Sequence, residues 1–124
     1  MSNEKPEIEF FDPEPPADLV ITDITEGDGD EAKAGDTVSV HYVGVAHSTG
    51  EEFDASYNRG APLQFRLGIG QVISGWDTGV QGMKVGGRRQ LVIPPHLGYG
   101  DRGAGGVIKG GETLIFVVDL LKVS

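Results

Sequence analysis

Six aromatic rings and one carboxylate stand out along the chain: Tyr42, Phe53 with Asp54 beside it, Phe65, Trp76, Tyr99 and Phe116. Trp76 is the only tryptophan, and Val72 and Ile73 lie just upstream of it. Gathered in one place, these side chains would make a small apolar pocket with a few polar atoms at its edge. Such a pocket takes up an apolar, ring-shaped group and removes it from water. Taken singly, each ring is explained as well by the core, where aromatics dominate. Other chemistries have less to stand on. Ser74 and the three histidines occur in no G-x-S-x-G setting. His41 and His47 lack a carboxylate cluster at ligand spacing, so no metal is expected. Gly68-Ile69-Gly70 lacks both the third glycine and the βαβ pattern of a dinucleotide loop. With no cysteine, thiol nucleophiles and disulfides are excluded.

The elements that must position these residues are legible as periodicities. Leu19, Ile21 and Ile24 form a short apolar segment closed by the turn signal Gly27-Asp28-Gly29. Val38, Val40 and Tyr42 alternate with Ser39, His41 and Val43, which predicts a strand over Thr37–Ala46 with one buried face. Gly50 allows a tight turn into a partner strand over 52–56, hence a hairpin. Leu63, Phe65 and Leu67 alternate again. Ser74 is read as the N-cap of a short helix over 74–81, with Asp77 at N3 favoured by the helix dipole. Trp76, Val80 and Met83 would share that helix's apolar side. Arg88–Ile93, ended by Pro94-Pro95, and the run Leu114, Phe116, Val118 and Leu120 read as the last strands. Antiparallel strands with one short helix indicate an α+β domain in which a curled sheet covers the helix. A β-sandwich would show more evenly spaced strands and no helix.

In order and spacing, His41-Tyr42, Phe53-Asp54, the run from Gln71 through Val72, Ile73, Ser74, Gly75 and Trp76 to Asp77, Leu97-Gly98-Tyr99-Gly100 and Phe116 resemble the FKBP-type peptidyl-prolyl cis-trans isomerases. The likeness spans nearly all of residues 18–123. It implies a curled antiparallel sheet of about five to six strands on one short α-helix, with catalysis of rotation about Xaa-Pro bonds for folding assistance. By the same resemblance, Trp76 is the pocket floor, and Tyr42, Phe53, Val72, Ile73 and Phe116 are its walls. Leu63 stands at the mouth, Tyr99 and Ile108 on the rim, and Phe65 in a mixed wall-and-core position. Asp54 would lie at the pocket edge, held by Arg59 with Tyr42 nearby. A partly buried carboxylate needs such partners. The Ile73 amide and the Tyr99 hydroxyl would bind substrate carbonyls. Neither metal nor cofactor is implied. The expected partners are proline-containing polypeptides and rapamycin-type macrolides. Leu63 where many members carry phenylalanine, Gln71 for glutamate and Ala104 for a loop histidine would change sequence preference and inhibitor fit. The loop 100–112 is rich in glycine and expected to be mobile, with Val107 and Ile108 as an apolar lip. It is too short to hold the chaperone domain that some bacterial relatives insert there, so the minimal single-domain form is expected. The competing reading is a non-catalytic peptide-binding module or holdase that uses the same pocket.

The chain of 124 residues suffices for one domain with a real core. Its formal charge of −9 is uneven: residues 1–31 carry 11 of the 19 acidic side chains and one of the ten basic ones. The nearly neutral remainder is a poor surface for nucleic acid, which needs clustered Lys and Arg. No window is apolar enough to span a membrane, and the N-terminal residues lack the basic start and apolar run of a signal peptide. A cytoplasmic monomer is expected. Pro6, Pro13, Pro15 and Pro16 among acidic residues make 1–17 a flexible arm ahead of the domain 18–124. Ile8, Phe10 and Phe11 could pack on the body, although nothing in the sequence compels it.

Overall fold

A computed structural model of the protein describes residues 16–104 and 108–124. The arm as far as residue 15, and Gly105, Gly106 and Val107 of the glycine-rich loop, lie outside the described residues.

Among the described residues there are six strands: β1 (Val20–Thr25), β2 (Thr37–Ala46), β3 (Glu52–Ala55), β4 (Leu63–Arg66), β5 (Arg88–Ile93) and β6 (Leu114–Val123). They form one curled antiparallel sheet in the order β1-β5-β6-β2-β3, with β4 also pairing to β2. Strand β2 is long enough to serve two neighbours along one edge. Residues 37–40 pair with β4, and residues 43–45 pair with β3. Its other edge runs along β6 from Val38 opposite Val123 to Ala46 opposite Leu114. The expected hairpin is there, with Gly50 at φ 74° in its turn. One helix, α1 (Ser74–Gly79), crosses the sheet. The fold is thus the α+β architecture read from the sequence.

Val38, Val40, Leu91, Ile93, Leu114, Val118 and Leu120 point inward and are fully buried, together with Val80 beyond the helix. Each such side chain contributes about 1.5–3 kcal/mol when taken out of water. Helix and sheet approach unusually closely because the helix turns glycines toward β5. A Cβ on Gly75 would lie 2.6 Å from Cγ2 of Ile93, and one on Gly79 would lie 2.7 Å from Cδ2 of Leu91. This close seat holds Trp76 against the sheet.

Three local expectations differ from the structure. The helix ends at Gly79, short of 81, and Met83 reaches the core through a turn at Gly82 with φ 90°. Ile73 is the N-cap residue and Ser74 makes no capping bond, so Asp77 falls one place further into the helix than N3. Strand β2 is buried on one face only as far as His41. Beyond it Val43 and Val45 are buried too, and Val43 joins Ala55 and Val117 in a second apolar cluster. No helix among the described residues is long and apolar enough to cross a membrane.

Candidate active site

Strands β2, β3, β4 and β6, helix α1 and two loops converge on a cavity of about 400 Å³. Its lining is Tyr42 from β2, Phe53 and Asp54 from β3, Leu63 from β4, Phe116 from β6, Trp76 from α1, Gln71, Val72 and Ile73 from the loop before the helix, and Tyr99 from the loop after Pro95–Leu97. Trp76 and Phe116 are each only 3% exposed, so they form a floor that is continuous with the core. Their rings stand near perpendicular at 5.2 Å, and Tyr42 meets the indole edge-on at 4.9 Å. Phe53 completes the wall at 5.4 Å from Phe116, also perpendicular. Edge-to-face packing of this kind fixes ring positions more tightly than area burial alone. The Trp76 indole N–H is buried and has no hydrogen-bond partner among the described residues.

The sequence-predicted residues divide by placement. Ten residues line the cavity, nine of them named above as site residues, and the tenth is Gln71. Phe65 lies in the core with its ring 5.6 Å from Trp76, outside the lining. Ile108, expected on the rim, is also buried in the core cluster. It exchanges backbone bonds with Ala104, N–H to O, at 2.9 and 3.0 Å. Arg59 stands behind the lining. Two glycines of this loop have a packing reason: a Cβ on Gly103 would meet the Ile108 oxygen at 2.0 Å, and one on Gly110 the Asp101 oxygen at 2.0 Å.

The polar edge is one hydrogen-bonded triangle. The Tyr42 hydroxyl donates to Asp54 Oδ2 at 2.5 Å, Arg59 Nη1 donates to Asp54 Oδ1 at 3.0 Å, and Arg59 Nη2 donates to the Tyr42 oxygen at 3.0 Å. The guanidinium also lies 5.6 Å from the Tyr42 ring centre, a cation–π distance. Burial, then the bond to Asp54, pushes the Tyr42 hydroxyl above its ordinary pKa. Burial, then the charge of Asp54, does the same for Tyr99. Both phenols are therefore donors at neutral pH. Among the described residues no backbone acceptor takes the Ile73 N–H, which leaves it available at the cavity wall.

Two positions escaped the sequence reading, and a third was given a different role. Gly44 lies opposite Phe116 on one side and Asp54 on the other. A Cβ there would sit 2.6 Å from the Phe116 ring and 2.7 Å from the Phe53 ring, so only glycine lets those walls meet. A glycine inside an alternating strand was the available signal. Ser56, fully buried, accepts the Tyr42 N–H at 2.7 Å and bonds His41 Nδ1 at 2.8 Å, which pins the backbone under Tyr42. That pair has the atoms of a hydrolytic dyad, but the serine has no solvent access. His41 is stacked on Tyr57 at 4.6 Å. Among the described residues no three His, Asp or Glu side chains are grouped to hold a metal.

Asp77 is the third. Its carboxylate accepts the N–H groups of Gly68 at 2.9 Å and Gly70 at 2.8 Å, both glycines having positive φ. Gln71 Oε1 accepts the Arg66 N–H at 2.8 Å. Together they tie down the loop that presents Gln71, Val72 and Ile73. Asp77→Ala removes two charge-assisted bonds. It is expected to raise KM for a proline-containing peptide by roughly five- to tenfold while costing about 1–3 kcal/mol of stability. Steady-state kinetics beside urea unfolding would show both changes.

Behind the sheet, Arg88 grips the buried carboxylate of Asp119 through Nε at 2.7 Å and Nη2 at 3.0 Å, and the Tyr57 hydroxyl donates to the same carboxylate. Burial, then the bond to Asp119, pushes the Tyr57 hydroxyl well above its ordinary value. Tyr42, Tyr57 and Tyr99 therefore bind their protons more tightly when folded than unfolded. Their contribution is fully present below the unfolded value of about 10 and is lost as pH rises from there through the folded values. Tm is expected to fall above about pH 10, and Tyr57→Phe should flatten that fall. Thermal circular dichroism between pH 8 and 11.5 checks the sign.

An apolar, aromatic cavity on a curled antiparallel sheet, closed by one short helix and edged by a Tyr–Asp–Arg triangle, is the arrangement of a class already met in the sequence. Residues 29–121 match the family model for FKBP-type peptidyl-prolyl cis-trans isomerase, and the chain belongs to that family. It is 76% identical over 124 residues to the FK506-binding protein of Streptomyces anulatus, covering 99% of this chain and 100% of that one. It is 53% identical over 118 residues to the probable FK506-binding protein of Corynebacterium glutamicum, covering 95% and 98% of the two chains. Among solved structures it resembles the crystal structure of AtFKBP13, with a TM-score of 0.80, 42% identity, and coverage of 89% of this chain and 96% of that one. FkpA from Escherichia coli gives a TM-score of 0.77 at 44% identity, with this chain covering 48% of its length.

Proposed function

We propose that the protein accelerates rotation about Xaa-Pro bonds of polypeptide substrates by taking the proline ring into the aromatic cavity, without a covalent intermediate. The supporting observation is the buried indole floor of Trp76 beneath a cavity whose polar atoms are confined to its edge. A prolyl amide is planar in its ground state, and resonance places negative charge on its oxygen. At the top of the barrier the amide is rotated by about a right angle, resonance is lost and the oxygen is less charged. Transfer from water into an apolar site therefore penalises the rotated form less than the planar one. That difference is what catalysis requires. A thousandfold acceleration needs about 4 kcal/mol. Desolvation supplies part of it, and hydrogen bonds that hold the bent peptide supply the rest. In this reading the Ile73 N–H and Tyr99 hydroxyl bind substrate carbonyls, Asp54 faces the twisting imide, and Arg59 with Tyr42 fixes Asp54.

The same cavity would bind rapamycin-type macrolides, a reading supported by the relatives described as FK506-binding proteins. Leu63 and Gln71 line its mouth, so affinity there depends on residues particular to this chain. The experiment is exchange spectroscopy on a proline-containing peptide at about one protein per hundred peptides. Acceleration that the macrolide abolishes supports the proposal, and its absence across several residues before proline refutes it.

One observation favours a second reading. Edge strand β1 exposes Val20, Ile21 and Ile24, apolar side chains spread over both its faces that would be available to an unfolded client. A holdase would suppress aggregation only near one-to-one stoichiometry. An isomerase speeds refolding at low ratios.

A further inference from the structure

Strand β1 ends the sheet, and among the described residues its outer edge has no backbone partner. It pairs with β5 alone, from Val20 opposite Val92 to Asp23 opposite Arg89 and on to Thr25. In an antiparallel pair alternate residues turn both N–H and C=O away from the partner strand, so part of the β1 backbone faces outward. An open edge of this kind is a template for a further strand. The bulge between Asp23 and Thr25 confines the regular run to Val20–Asp23.

The side chains of this run are sorted by face, because cross-strand neighbours share one. Ile21 sits beside Leu91, which meets Gly79 on the side of α1, and Asp23 sits beside Arg89 on that same side. Val20 sits beside Val92 on the other side. Val20 and Ile21 are 42% and 43% exposed, so an added strand finds apolar surface on both faces. The charge around them has one sign. Residues 18–31 hold six carboxylates, Asp18, Asp23, Glu26, Asp28, Asp30 and Glu31, all exposed, and no Lys or Arg. Arg89 and Lys84, which border a small pit with Asp23 and Glu26, offset two of the six.

This charge selects the occupant. A second copy pairing antiparallel about Thr22 would set Asp18 of each chain against Glu26 of the other, and like charges placed opposite each other are destabilising. Other registers give no relief, since the segment supplies no cation. A strand with basic ends meets the opposite sign.

We propose that β1 accepts, as an added antiparallel strand, an extended client segment with an apolar centre and basic residues two places to either side of it. The apolar pair then lies opposite Val20 and Ile21. One Lys or Arg lies opposite Asp23, whose side chain stays 40% exposed beside Arg89, and the other lies opposite Asp18. The proposal rests on the reading of β1 as a surface for unfolded clients and names the class of segment held there. The cavity has no part in it.

The test is nuclear magnetic resonance on the labelled full chain with a blocked, proline-free peptide, Lys-Thr-Val-Val-Thr-Lys, and its counterpart carrying Glu for both lysines. The lysine peptide is expected to shift the amides of residues 19–24, with affinity falling roughly fivefold between about 50 and about 500 mM salt, and the glutamate peptide to leave them unmoved. Equal shifts from the two peptides overturn the selection by charge. Shifts centred on Tyr42 and Trp76 instead, or none, overturn docking at β1. Shifts at β1 that grow with protein concentration alone place a second copy there and overturn it too. Ile21→Lys, at an exposed position, is expected to abolish the shifts. Should that variant fail to fold, the two peptides on the unaltered chain still decide. Aggregation of a refolding client that Ile21→Lys still suppresses at one-to-one ratio overturns β1 as the place of binding while the holdase reading stands. Peptide shifts at β1 without any such suppression by the unaltered chain support the docking and end the holdase reading.

Discussion

Trp76→Ala is expected to lower Tm by roughly 10–25 °C and to abolish isomerase activity at 25 °C. Truncating a buried aromatic costs about 3–5 kcal/mol, and a domain of this size gains or loses about 3–5 °C per kcal/mol. The indole is 3% exposed and touches the rings of Tyr42, Phe65 and Phe116, so no single neighbour can collapse into the space it leaves. The vacated volume also joins the cavity directly and admits water where the proline ring would sit. Trp76→Phe keeps a ring and should retain a larger share of both stability and activity. Thermal denaturation and peptide kinetics on the two variants separate the effects. A Trp76→Ala protein as stable as the parent would mean that the indole is not the floor.

Asp54→Leu is expected to do the reverse, with a large effect on rate and a small one on stability. Asp54 and Arg59 are 45% and 47% exposed, and ion pairs in such surroundings are worth little to folding, about 0–1 kcal/mol. Their geometry at the cavity edge is another matter. Losing the carboxylate releases the Arg59 Nη1 contact and the Tyr42 hydroxyl together, and leaves a positive charge beside the imide. A fall in kcat/KM of roughly 10- to 100-fold is expected, about 1.4–2.7 kcal/mol of transition-state stabilisation. Tm should change by only a few degrees. Asp54→Asn keeps an acceptor for Tyr42 without the charge, so its intermediate activity would divide charge from hydrogen bonding. Undiminished activity in Asp54→Leu would reduce Asp54 to an anchor for Arg59.

How much of this the amino-acid order discloses varies with the range of the interaction. Strands β2, β5 and β6 are legible because side chains alternate locally, and the turn at Gly50 because its backbone angle demands glycine. The helix is overestimated because Trp76, Val80 and Met83 keep helical spacing while Gly79 and Gly82 let the chain leave the helix. Ser74 reads as a cap by type, yet the backbone turns into the helix one residue earlier at Ile73. Asp77 reads as a dipole partner because its true partners, the N–H groups of Gly68 and Gly70, are created by a loop fold that no local pattern encodes. Gly44 and Ser56 are harder still, since their reasons lie in side chains from other strands. The buried outer face is the least legible part. Alternation predicts a wet side for β2, whereas Val43 and Val45 are only 2% and 7% exposed.

The most direct measurement follows a single peptide with a slowly exchanging prolyl bond, using the intact protein and Asp54→Leu at equal, catalytic concentrations. A water-excluding aromatic cavity that favours the rotated imide requires cis-to-trans exchange roughly a thousandfold above the uncatalysed rate, at least tenfold less in the variant, with the peptide still bound by both. If the peptide binds and quenches or shifts Trp76 fluorescence while exchange proceeds at its uncatalysed rate, the cavity only captures proline and does not turn it.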